Sequence, residues 1–124
     1  LQPPLEAANS GDWDRVQSLA KDGRHNINVA VRQLSVLFIA TVDRNAQMVK
    51  ILLQAGADPN VRGPGQMTPL IMAASNCNAD IVKTLLENGA GSQAKDERGL
   101  TASGWAYENN CPHVVKILLP PLTK

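Results

Sequence analysis

Small and branched apolar residues return along this chain every 33 positions. Ala7, Ala40, Ala73 and Ala106 form one column of that spacing. Val16, Val49, Val82 and Val115 form a second, and Leu19, Leu52, Leu85 and Leu118 a third. Gly23, Gly56 and Gly89 continue the frame. A fixed period of this length means stacked structural repeats, each unable to bury its apolar face alone. Within one unit the pattern predicts two short helices. The first runs over about eight residues from Pro69 to Asn76, with proline in the first turn, where its missing N–H is harmless. The second runs from Ala79 to Asn88. Ile81, Val82, Leu85 and Leu86 put one apolar face on it, and Gly89 supplies the left-handed residue that ends it. Asp58 to Met67 has no helical period and is rich in Gly, Pro, Asp and Asn, which predicts an extended hairpin. The apolar run Leu34 to Val42 looks locally like a buried strand. The frame aligns it with Thr68-Pro69-Leu70 and so predicts an inner helix.

The ends are irregular. Arg24 to Asn28 carries an extra residue, and Pro120-Pro121 stop the last helix. The repeats divide at about 1–34, 35–67, 68–100 and 101–124. Leu1 in place of a start methionine suggests a segment of a longer protein.

Thr68-Pro69-Leu70…Ala73-Ala74, then Ile81-Val82…Leu85-Leu86…Gly89-Ala90, with Gly56-Ala57-Asp58…Asn60 before it, resembles the ankyrin repeat. The resemblance covers essentially the whole chain. It implies an all-α solenoid of about four helix-turn-helix units with projecting β-hairpin loops, and a concave face made by those fingers and the inner helices. Two departures matter. The family's histidine after Thr-Pro-Leu is replaced by Phe38, Ile71 and Gly104, so the polar network it makes is expected to be absent, at ~1 kcal/mol per neutral hydrogen bond lost. The interhelical turn, which favours glycine, reads Gly11, Arg44, Cys77 and Asn110. A left-handed Arg44 or Cys77 costs roughly 1–2 kcal/mol, and Gly104 inside a helix ~1 kcal/mol. The expectation is modest stability, with a thermal midpoint below about 80 °C.

Composition narrows the function. Twelve Lys and Arg stand against 11 Asp and Glu, a net charge of +1. That balance argues against nucleic acid or an anionic membrane as the main partner. No apolar run approaches the ~20 residues of a membrane span, and no secretory signal opens the chain. The expected compartment is the cytoplasm, the nucleus or both. With 44% hydrophobic but only 3% aromatic residues, the core must be built from aliphatic side chains and alanine.

Catalytic and metal chemistry find no constellation. His25 and His113 fall in different repeats, too far apart to share a base or metal site. Gly63-Pro64-Gly65 lacks the Gly-Lys-Ser/Thr continuation of a phosphate loop and reads as a finger tip. Cys77 and Cys111 sit in neighbouring turns. Repeats stack about 10 Å apart, beyond the roughly 7 Å a disulfide allows, so free thiols are expected. Trp105 shares a column with Ile39 and Met72, which argues for core packing, and four aromatics are too few for a methyl-lysine cage. Trp13 is expected to cover the open end of the first repeat.

What remains is surface. The candidate partner-binding residues are Val42, Asp43, Ser75, Asn76, Glu108 and Asn109 on the inner helices, with Arg32, Leu34, Arg62, Gln66, Met67, Arg98 and Leu100 on the fingers. Leu34, Met67 and Leu100 share a column and would form an apolar stripe flanked by arginines, or else pack beneath the next finger. Asn60 resembles the hairpin asparagine that a hydroxylase modifies in some members of the family. The function this implies is a non-enzymatic scaffold or adaptor. It would bind a protein or peptide segment as a monomer, without cofactor, metal, nucleic acid or membrane span. The alternative is an inhibitory or targeting module acting on a kinase or other enzyme, in cis or in trans. Small-ligand binding between repeats is a third class, disfavoured by the lack of a polar-lined aromatic pocket.

Overall fold

The computed structural model describes residues 4, 7–8, 10–22, 30–31 and 34–119. Among the described residues three inner helices begin at residues 36, 69 and 102: α2 (Val36–Val42), α4 (Pro69–Ser75) and α6 (Ala102–Glu108). Four outer helices begin at 13, 46, 79 and 112: α1 (Trp13–Asp22), α3 (Ala46–Gln54), α5 (Ala79–Glu87) and α7 (Pro112–Leu118). Every start keeps the 33-residue step. Inner helices stack on inner helices and outer on outer, giving two layers.

Six of these seven starts carry a side-chain cap. Each inner helix opens on a hydroxyl. Ser35 accepts from the Phe38 amide at 3.1 Å, Thr68 from Ile71 at 3.2 Å and Thr101 from Gly104 at 3.2 Å. Three of the four outer helices open on amide or carboxylate oxygens, and α7 opens on Cys111 without a side-chain cap. Asp12 accepts from the Arg15 amide, Asn45 from Met48 and Asn78 from Ile81. Such caps satisfy amides that lack a partner in the helix, each worth ~1 kcal/mol. The turn between the helices is left-handed throughout: Gly11, Arg44, Cys77 and Asn110 have φ of 79°, 58°, 58° and 56°. The geometry expected of glycine thus survives without it in three of four repeats.

The columns of the sequence become the core. Ala40, Ala73 and Ala106, Val49 and Val82, and Leu52 and Leu85 are all fully buried. In the first and last of these repeats Val16 and Leu118 stay buried, whereas Leu19 and Val115 are half-buried. Trp13 is likewise half-buried against the core. Burying one such leucine contributes about 2 kcal/mol.

Leu34 and Ser35 form a short strand, β2, paired antiparallel with β1 (Ala30–Val31), and the helix begins one residue later. The helical reading of this run therefore holds from Val36 onward. Among the described residues this is the one finger with a strand ladder. The next, residues 58–67, closes instead through a 3-10 turn at Pro64–Gln66, with the Gly63 amide donating to the Met67 carbonyl at 2.7 Å. In the third, the Asp96 amide donates to the Leu100 carbonyl at 2.9 Å. Helix α7 ends at Leu118. Leu119 is extended, as the residue before a proline prefers to be. Pro120 and Pro121 lie outside the described residues.

One expectation is overturned. Cys77 and Cys111 are joined by a disulfide, with Cα atoms 5.3 Å apart. The 10 Å spacing applies to helix axes, not to the turns that link them. Cys111 is also one position beyond the Cys77 column. It occupies the cap position of α7, and this diagonal step brings it beside the preceding turn.

Candidate surface for a partner

The finger-and-inner-helix face carries the predicted positions in three different states. Val42 is 47% exposed, a large apolar side chain at the end of α2, and Asp43 caps that helix in the open. Glu108 is exposed at the end of α6 and Gln66 at a finger tip. These side chains are free to meet a partner.

A second group is committed to the architecture. Arg62 is exposed, but its guanidinium donates to the Gln66 carbonyl at 2.6 Å and to the Lys95 carbonyl at 2.7 Å, tying one finger to the next. The Glu97 amide adds a bond to the Gly65 carbonyl at 2.9 Å. The Asn109 amide donates to the Ser75 carbonyl at 2.8 Å, and the Ser75 hydroxyl turns back to Met72. Asn76 is half-buried as the cap of α4. Met67 and Leu100 are half-buried; Met67 packs on the core, and Leu100 lies over Gly104, where an added Cβ would come within 3.3 Å of it. Two members of the stripe thus have a packing role. The backbone of Leu34 is in β2. Arg32, like His25, lies outside the described residues.

Asn60 is held at both ends of its amide. It donates to the Gly89 carbonyl at 3.2 Å and accepts from the Gly91 amide at 2.8 Å. This clasp joins the finger to the end of α5 in the next repeat.

A third group joins Arg98, a predicted position, to Asp96 and Trp105, whose meeting the sequence does not announce. Asp96, 8% exposed, accepts from the Trp105 indole N–H at 2.7 Å and from the Arg98 and Leu100 amides at 2.9 Å each. Arg98 lies over the Trp105 ring, 5.4 Å from its centroid, within cation–π range. Burial pushes the Asp96 carboxyl up. The Trp105, Leu100 and Arg98 hydrogen bonds and the Arg98 charge outweigh it and hold the group below its ordinary value. The polar tie between finger and inner helix, expected to be missing, is rebuilt here one residue after the Gly104 column. Trp105 is half-buried against the core as its column implied, while its indole nitrogen serves the finger.

Elsewhere packing replaces the tie. Ile71 is buried, and the Phe38 ring lies against Gly63 so closely that a Cβ there would meet it at 2.6 Å. Among the described residues no three His, Cys, Asp or Glu side chains converge as a metal site would require, and no helix is long and apolar enough to cross a membrane.

A family model described as ankyrin repeats (3 copies) matches residues 38–123. No curated protein matches the chain.

Proposed function

The chain belongs to the ankyrin-repeat family, and from that premise we propose that it is a scaffold or adaptor that binds a segment of another protein. Ankyrin repeats are generally protein–protein interaction modules and generally non-enzymatic. The observation that carries the reading is the division of labour on one face. Arg62 and Asn60 spend their polar groups on the next repeat and Asn109 on the preceding one. Val42, Asp43, Gln66 and Glu108 are left exposed on the scaffold they stiffen. A face ordered before binding loses little entropy on docking. The Arg98–Trp105 stack supplies residue types enriched among the anchors of such interfaces, and the exposed Val42 adds apolar surface beside the fingers.

The test uses exposed positions that the fold does not need. A Val42→Arg/Gln66→Ala/Glu108→Arg variant keeps the wild-type circular dichroism spectrum and melting temperature. In cross-linking and pull-down from cells that express the protein, it loses partners retained by wild type. Retention of every partner by the folded variant assigns binding to another face.

A further inference from the structure

The Cys77–Cys111 bond joins two chemically different sites. Cys77 is exposed, in the left-handed turn between α4 and α5. Cys111 is 4% exposed, at the cap of the last helix. In the other three repeats that cap is Asp12, Asn45 or Asn78, and its oxygen accepts from the helix amide three residues on. Cysteine makes no such bond, so α7 begins without a side-chain cap. Among the described residues its outer side is also open: Ala106, Tyr107, Pro112, Val115 and Lys116 line a groove of about 570 Å³. Tyr107 is 78% exposed where its counterpart in the previous repeat, Ala74, is fully buried. Among the described residues helix α7 therefore has a packed neighbour on one side, no side-chain cap, and a covalent link in place of the cap.

We propose that Cys77 and Cys111 are a reversible redox latch that fastens the last repeat, opened by low-molecular-weight thiols and closed by the corresponding disulfides. The chemistry is thiol–disulfide exchange. To open, a thiolate RS⁻ attacks the sulfur of the accessible Cys77. The Cys77–Cys111 bond breaks, and Cys111 leaves as a thiolate that takes up a proton. A second RS⁻ attacks the outer sulfur of the mixed disulfide, forming RSSR and releasing Cys77. Two electrons pass from two thiols to the protein. Closing runs in reverse, with Cys77 as the attacking thiolate, RSSR as oxidant and Cys111 as the resolving thiol. The bond stabilises repeat 4 by restricting the unfolded chain between residues 77 and 111. Repeats of a solenoid contact only their neighbours, so in this 124-residue chain an unlatched repeat 4 loosens without repeats 1 and 2.

The test equilibrates the 124-residue chain across a series of reduced-to-oxidised glutathione ratios, alkylates free thiols and reads the mass. Hydrogen exchange is followed in both end states. The bridge is expected to convert within the series. On reduction, amide protection in α7 should fall at least about tenfold while α3 changes less than about twofold. Cys111→Asn restores the cap found in the other repeats, and its α7 should be indifferent to reductant. A bridge that stays closed in fully reduced glutathione overturns the proposal. So does wild-type α7 protection that is the same in both redox states, a result that needs no variant.

Discussion

The Trp105 indole donates its N–H to the Asp96 carboxylate across 2.7 Å, joining the third finger to the last inner helix. Burial opposes ionisation of Asp96, but this bond and the backbone amides favour the charged form, so the group titrates below the ordinary carboxylate value of about 3.9. A carboxyl with a lowered folded-state value stabilises the protein fully above its unfolded value. That contribution disappears as pH falls through the folded value. Trp105→Phe keeps the ring and removes the donor. The Asp96 carbon resonance should then titrate at higher pH than in wild type, and repeat 4 should melt at a less acidic pH. Identical carbon titrations would show that the indole bond does not govern this carboxyl.

Phe38 and Gly63 form a size-matched pair. Gly63→Ala places a methyl 2.6–2.9 Å from three ring atoms, so ring or finger must move. A cost of about 1–3 kcal/mol is expected in urea unfolding. Phe38→Leu, itself destabilising, should become less so when combined with Gly63→Ala. Strict additivity of the two changes would mean that the ring and the finger do not press on one another.

Arg44 holds a left-handed φ of 58° without being glycine. Arg44→Gly should therefore stabilise the chain by ~0.5–1 kcal/mol, the relief of the side chain outweighing the added freedom of the unfolded state. A differential scanning midpoint at or below that of wild type would contradict this.

Asn60→Ala removes both ends of the clasp on Gly89 and Gly91. The bonds are exposed, so the loss should be modest, ~0.5–1.5 kcal/mol. It should be local as well. The Gly91 amide loses its acceptor and should exchange faster, while amides in α3 keep their rates. A uniform rise across the chain would point to global rather than seam-level loosening.

The two-helix unit was legible because its signals lie in columns. Threonine or serine at 35, 68 and 101, and alanine at 40, 73 and 106, recur whatever surrounds them. Bonds between columns were not legible. Trp105 and Asp96 break their columns, standing where the previous repeat has Met72 and Gly63, so no period announces their meeting. Arg62 looked available because a long cation at a finger tip usually faces water, yet two backbone carbonyls lie within its reach. The cysteine pair was misjudged for a geometric reason. A one-residue offset between neighbouring turns shortens a helix-axis distance to 5.3 Å. The missing histidines show the same limit, since Phe38 at one repeat and Trp105 at another replace one lost contact in different ways.

Four side-chain bonds between neighbouring repeats, Asn60 to Gly89 and Gly91, Arg62 to Lys95, and Asn109 to Ser75, span between 29 and 34 residues. None reaches past its immediate neighbour. A gene duplication that inserted a second copy of residues 68–100 would leave every one of these partners in place and create one new junction. The length of the finger-and-inner-helix face is thus a matter of copy number, and evolution can extend or shorten it without redesigning the fold.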